Sequence, residues 1–122
     1  MKVSIITVTL NSANTVQDCI DSIATQSYKN IEHIVIDGNS KDKTLQIIQN
    51  NTSISRYISE PDSGLYDAMN KGLKLASGDL IGILNSDDIY DNKDVISDVV
   101  NALGRHKALY ADLCFVDSHD TN

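Results

Sequence analysis

Leu80-Ile81-Gly82-Ile83-Leu84-Asn85-Ser86-Asp87-Asp88 passes directly from an apolar run into two adjacent carboxylates. The run is short and unbroken, the pattern of a strand covered on both faces of a sheet. In an open α/β sheet, ligands bind just beyond the carboxyl ends of the strands. Asp87 and Asp88 would repel one another there unless positive charge sits beside them. Mg²⁺ or Mn²⁺ is the economical counterion, because it takes one or two carboxylates plus phosphate oxygens. Either acid could instead cap the helix that follows.

Outward from this stretch, the chain alternates between two periods. Residues 3–10 are rich in β-branched side chains and read as a central strand. Asn14 or Thr15 then caps a helix, with Asp18 completing a capping box. Its apolar stripe is Val16, Cys19, Ile20, Ile23 and Ala24. Residues 31–36 form a second strand, stopped by Asp37-Gly38-Asn39-Ser40. Ser40 or Asp42 caps a second helix carrying Leu45, Ile47 and Ile48. Residues 54–59 are a weaker third strand, followed by the loop Glu60-Pro61-Asp62-Ser63-Gly64. A third helix spans 65–76, with Ala68, Met69, Gly72 and Ala76 on one face and Gly78 as a left-handed stop. After the strand at 80–84, Asp91 and Asp94 frame a capping box. The fourth helix carries Val95, Ile96, Val99, Val100 and Leu103 and ends at Gly104. Residues 108–116 read as a fifth strand. This β-α alternation predicts a mostly parallel sheet with helices on both faces and right-handed crossovers.

The 122 residues suffice for one small domain. Apolar content of 41% and charged content of 22% are those of a soluble globular chain. A net charge of −7 argues against nucleic acid as partner, since that affinity rests on clustered Lys and Arg. No run approaches the ~20 apolar residues of a membrane span, and Met1-Lys2 leads into a strand without a signal-peptide pattern. Cys19 and Cys114 lack metal or redox spacing and read as small buried hydrophobes of a reducing compartment. The expected location is the cytoplasm. The polar tail, residues 117–122, has no periodic partner and reads as a cut end.

Three polar clusters follow three strands and fall on one sheet edge: Thr7, Thr9 and Asn11; Asp37-Gly38-Asn39-Ser40; and Asn85-Ser86-Asp87-Asp88. Gly38 permits a tight turn or a close backbone approach. Asp37 can accept hydrogen bonds from a base or ribose, or belong to a simple Asp-Gly turn. No GxGxxG follows the first strand and no GxxxxGK[ST] occurs, which removes the dinucleotide-binding and P-loop readings. A GxSxG elbow is also missing. His33, His106 and His119 have no partners at zinc spacing, so a structural or exposed role is expected for each.

SIITVTLN, IVIDGNSKDKT and EPDSGLYDAMNKGLKLASGDLIGILNSDDIY resemble the successive blocks of family 2 glycosyltransferases with the GT-A fold. The likeness covers most of residues 3–117, and its YDAMNKG and LNSDD wording is similar to bacterial capsule, exopolysaccharide and colanic-acid-type transferases. It implies a Rossmann-like GT-A sheet whose residues 1–122 are the nucleotide-sugar-binding half, stopping before the acceptor half. It implies that Thr7, Thr9, Asn11, Asp37 and Gly38 surround the nucleoside. Ser86 and Asp87 take the DxD position, with Asn85 in place of the first acid. Asp87 and Asp88 would hold Mg²⁺ or Mn²⁺ on the donor diphosphate. Asp67 and Lys71 border the donor pocket, or form an ordinary i, i+4 surface pair.

The implied chemistry is inverting transfer from a nucleotide-sugar donor, with uridine diphosphate as the expected carrier. The acceptor would be a saccharide or a polyprenyl-linked sugar, placing the full enzyme at the inner face of a membrane. A general base must take the acceptor proton, and it is expected beyond Asn122; neither Asp112 nor Asp117 is assigned to it. The fragment by itself is then expected to transfer nothing. A homodimer stays open. The rival readings are a non-catalytic nucleotide-binding module, a nucleotidyltransferase and a receiver-like domain. A nucleotidyltransferase calls for a cationic Gly-rich first loop, which Asn11-Ser12-Ala13-Asn14 does not supply. A receiver-like domain calls for acids after the first strand, which are missing.

Overall fold

A computed structural model of the protein describes residues 1–105. Four strands alternate with four helices: β1 (Val3–Thr9), α1 (Val16–Ala24), β2 (Ile31–Asp37), α2 (Thr44–Gln49), β3 (Arg56–Ser59), α3 (Leu65–Leu75), β4 (Leu80–Ile83) and α4 (Val95–Arg105). The sheet runs β3-β2-β1-β4 with every pairing parallel, as the alternation predicts. The expected fifth strand at 108–116 lies outside the described residues, as do Cys114, His106, His119, Asp112 and Asp117. Among the described residues, no helix is long and apolar enough to cross a membrane.

β1 is central and buried along nearly its whole length, which explains its β-branched composition. One face of the sheet sends Val3, Ile5 and Leu80 against Cys19 and Ile23 of α1 and Ile96, Val99 and Leu103 of α4. The other face packs Ile6, Ile34 and Ile36 against Ala68 of α3. Each isoleucine removed from water here contributes about 2–3 kcal/mol. β4 is half-covered rather than buried on both faces, because it forms an edge among the described strands.

The helix ends depart from the capping-box expectations. Thr15 makes no side-chain cap, and its hydroxyl turns back to the Ser12 carbonyl. α2 begins after Lys43, and the Asp42 carboxylate accepts from the Thr44 N–H and hydroxyl. The start of α4 is held from outside its own sequence. Buried Gln26 accepts the Ile96 N–H at 3.1 Å and donates to the Asn92 carbonyl at 2.7 Å, while Asp94 accepts from Ser27 Oγ. Gly104 does not stop α4, which continues to Arg105.

Gly78 is not the left-handed stop expected of it. α3 ends at Leu75 with Ala76 extended, and among the described glycines only Gly64 has a positive φ. Gly78 serves close approach instead. A Cβ there would lie 2.7 Å from Ser4 N and 2.9 Å from Lys2 O, both backbone atoms that cannot swing aside. Gly78→Ala is therefore expected to destabilise the fold by about 2–3 kcal/mol, read from the urea midpoint. A midpoint equal to that of the parent would contradict this account.

Candidate functional site

The carboxyl ends of β1 and β4 and the loop before α3 enclose a cavity of about 550 Å³. β1 supplies Thr9 and, just beyond it, Asn11 and Ser12; the start of α1 supplies Asn14 and Thr15. Asn85, Ser86 and Asp87 enter from β4, with Asp62, Gly64 and Leu65 opposite. Among the described residues, two carboxylates, Asp62 and Asp87, stand in this wall, and no Lys or Arg does.

The loops are tied together by their own polar groups. Asn11 adopts a left-handed φ of 50°, its N–H donates to Ser40 Oγ at 2.8 Å, and its side-chain oxygen accepts the Lys41 N–H. Ser12 N–H donates to Thr44 Oγ1, and Ser12 Oγ shares a 2.7 Å bond with Ser86 Oγ. Ser86 thus joins the β4 end to the β1 end. Gly64 takes φ 119°, a backbone region open mainly to glycine, which lets the chain turn into α3 along the rim.

Of the residues expected from the sequence, Thr9, Asn11, Ser86 and Asp87 line this cavity. The others sit elsewhere, each for a visible reason. Thr7 points into the core, bonded to His33 Nε2 at 2.8 Å. Asp37 is fully buried and accepts from Thr9 Oγ1, from the Ser40 N–H and hydroxyl, and from Ser59 Oγ. Burial by itself would raise its pKa, but the donors of Ser40, Thr9 and Ser59 outweigh that and hold the carboxyl below its ordinary range. Asp37 therefore ties the ends of β1, β2 and β3 together, and it is not among the residues that line the cavity.

Exposure alternates along Asn85 (out), Ser86 (in), Asp87 (out) and Asp88 (in), which separates the two adjacent carboxylates. Asp88 is 5% exposed and lies outside the cavity wall. Gly38 does permit a close approach: a Cβ there would lie 2.9 Å from Asp62 Oδ2. Lys71 donates to the Pro61 carbonyl and pairs with Glu60 at 3.1 Å and Asp67 at 3.7 Å. Asp67 in turn accepts the Ser63 N–H. This pair staples the 60–64 loop and stands behind the cavity rather than in its wall.

Cys19 is a buried free thiol, as its place on the apolar stripe predicts. Burial pushes its pKa up to about 12, against a lowering bond from Thr7 and with further raising by the charges of Asp88 and Asp87. It is inert as a nucleophile at neutral pH. The sequence offers Asn14 and Thr15 only as helix caps, and it does not mark Asp62 or Leu65 as site residues. The position of Asp62 in a Pro-Asp-Ser-Gly turn beside the acidic block is the one signal that could have found it.

Among the described residues, no three Asp, Glu, His or Cys side chains come together as a metal cage. A Mg²⁺-type site on a diphosphate does not need one, because substrate oxygens and water complete the octahedron around one or two carboxylates. Asp87, exposed at the rim, fits that requirement.

A parallel α/β sheet with a cavity at its C-terminal rim defines the class of Rossmann-like α/β domains. The chain belongs to the glycosyl transferase family 2, whose family model matches residues 4–122. An uncharacterised glycosyltransferase of Mycobacterium tuberculosis (strain H37Rv) is 42% identical over 83% of this chain and 39% of the relative. A PGL/p-HBAD biosynthesis glycosyltransferase of Mycobacterium bovis (strain BCG) is 36% identical over 93% of this chain and 45% of the relative. The chain thus spans about four tenths of the length of the curated relatives it matches. Among solved structures, S. aureus TarS in complex with UDP-GlcNAc superposes with a TM-score of 0.79 at 28% identity, over 88% of this chain and 32% of that one. A mannosyltransferase of Pyrobaculum calidifontis, at 24% identity and a TM-score of 0.76, shares the fold. The sheet is that of the GT-A glycosyltransferases.

Proposed function

We propose that this chain is the nucleotide-sugar-binding part of a glycosyltransferase that moves a sugar from a nucleoside diphosphate to an acceptor hydroxyl. The observation that carries this reading is the cavity at the sheet's C-terminal rim, whose wall among the described residues holds Asp62 and Asp87 and no Lys or Arg. A diphosphate cannot settle against two carboxylates unless a divalent cation lies between. Asp87 is the residue proposed to hold Mg²⁺ or Mn²⁺. When bound, the ion supplies Lewis-acid neutralisation of the leaving diphosphate.

The chain's own residues do the rest of the binding. Thr9, Asn11 and Ser12 face the nucleoside. The α1 N-terminus, reached through Asn14 and Thr15, adds the positive end of a helix dipole toward phosphate. Ser86, bonded to Ser12, keeps the Asp87 loop and the nucleoside loop in register. Asp37 acts through Thr9 and Ser40 as a brace for that loop.

Uridine diphosphate is the proposed carrier, supported by the UDP-GlcNAc complex of the TarS relative. Inversion at the anomeric carbon, a saccharide or polyprenyl-linked acceptor and a cytoplasmic site at a membrane face belong to the same proposal. None of the described carboxylates is assigned as the general base. Calorimetric titration of the intact protein with uridine, guanosine and adenosine diphosphates, with and without Mn²⁺, tests the reading. Saturable, Mn²⁺-dependent heat with a preference for uridine is expected. Binding that ignores the metal would remove the proposal's basis.

A further inference from the structure

The wall of the rim cavity has an apolar part as well as a polar one. Val8, Leu10 and Leu65 stand in it, and Leu10 and Leu65 are 59% and 51% exposed. Asp62 meets this apolar part beside Gly38. A Cβ on Gly38 would lie 2.9 Å from Asp62 Oδ2 and 3.5 Å from Leu10 Cδ1. Leu65 follows Asp62 on the loop that enters α3.

Strand order separates Asp62 from Asp87. Gly38 follows β2, Asp87 follows β4, and β1 runs between those two strands. Two strand spacings are about 10 Å, whereas two oxygens on one Mg²⁺ lie within about 4 Å of each other. Asp62 therefore answers to a different part of the ligand from the cation proposed for Asp87. A nucleoside diphosphate carries its base and its anion at opposite ends. The base has two apolar faces and a polar edge, which suits leucines beside a carboxylate. Asp37, which the sequence also offers to a base, is fully buried and already accepts from Thr9, Ser40 and Ser59. Asp62 Oδ1 accepts the Gly64 N–H at 3.1 Å, which fixes the carboxylate and uses one of its roughly four acceptor positions. An ionised carboxylate only accepts, so the edge that meets it must donate. Uracil carries an N–H at ring position 3, and cytosine carries a lone pair there.

We propose that Asp62 is the base-selecting residue of the rim cavity. It accepts the ring N–H of a uracil-type base, whose faces lie against Leu10 and Leu65, and it rejects cytosine. This inference rests on the nucleotide-sugar reading given above and adds to it the group that chooses the base.

The full chain is titrated calorimetrically with uridine and cytidine diphosphates, each with Mn²⁺. The parent is expected to bind the uridine form at least about tenfold more tightly, because cytosine replaces a charge-assisted hydrogen bond with lone-pair repulsion. In Asp62→Asn the amide oxygen keeps the Gly64 N–H and the NH₂ group meets the base. The cytidine form then gains, and the uridine-to-cytidine ratio is expected to fall at least about tenfold. Leu10→Ala trims the apolar part, so it should weaken both nucleotides and leave their ratio near that of the parent. Mn²⁺-dependent binding with no preference in the parent overturns the proposal and leaves the nucleotide-sugar reading standing. So does a preference that survives Asp62→Asn, or one that Leu10→Ala abolishes as fully. Failure of both nucleotides to bind the parent overturns the proposal together with that reading.

Discussion

Asp87→Ala is expected to lower the Mn²⁺-dependent affinity for uridine diphosphate by at least about a hundredfold while leaving the fold intact. The magnitude follows from the charges. A phosphate oxygen 4 Å from a carboxylate is repelled by about 4 kcal/mol at the effective dielectric of a protein surface. Among the described residues, the rim cavity presents two such carboxylates and offers no Lys or Arg in return. A divalent cation reverses the sign, but only if a carboxylate holds it there. Asp87 is exposed, so its removal leaves no buried group unsatisfied and the urea midpoint should stay put. Asp62→Asn separates field from ligation. It removes one negative charge across the cavity and is expected to change the metal-dependent affinity by less than about tenfold. Equal losses in the two variants would mean that Asp87 contributes charge alone. An unchanged affinity in Asp87→Ala would remove its assignment as a metal ligand.

The sheet was legible because buried strands and amphipathic helices differ in period, and eight elements in alternation leave few topologies. The caps were not. Thr15 and Asp18 have capping-box spacing, yet the α4 N-terminus is satisfied by Gln26, 70 residues away from Ile96. No local pattern encodes such a partner. The site divides in the same way. Asp37 and Asp87 both follow a strand and look alike in sequence. They part because Thr9, 28 residues before Asp37, and Ser59, 22 residues after it, aim hydroxyls at Asp37. Those donors hold the Asp37 carboxylate in place and cover it, while Asp87 stays exposed at the rim. The separation of Asp87 from Asp88 was not legible, because it is made by a turn over Asn85-Ser86-Asp87-Asp88 that the Asp88 N–H closes on the Asn85 carbonyl. Lys71 is the opposite case. Its i, i+4 spacing to Asp67 already offered the surface-pair reading, and the pair exists as a loop staple behind the cavity.

His33 should make stability depend on pH between about 5 and 7, a range that no other resolved shift enters. Burial lowers its pKa from 6.5 to about 4, so the folded chain keeps it neutral where the unfolded chain protonates. Stability is therefore complete above pH 6.5 and falls as pH drops toward 4. The full span is worth about 3 kcal/mol at about 1.36 kcal/mol per pH unit. Between pH 7 and pH 5 a loss of about 2 kcal/mol is expected, read from urea unfolding at each pH. Glu32 acts lower down. Burial alone would raise its pKa, but the Ser77 N–H and hydroxyl, Ser4 Oγ and Lys2 bring it down from 4.5 to about 2. Its contribution is present above pH 4.5 and is lost only as pH falls toward 2, which separates it from the histidine. His33→Leu removes the titrating ring while keeping an apolar side chain in its place. That variant is expected to be flat between pH 7 and pH 5, whatever its absolute stability. A parent that is equally stable at both pH values would show that His33 takes up its proton as readily folded as unfolded, and would contradict its burial as a neutral ring.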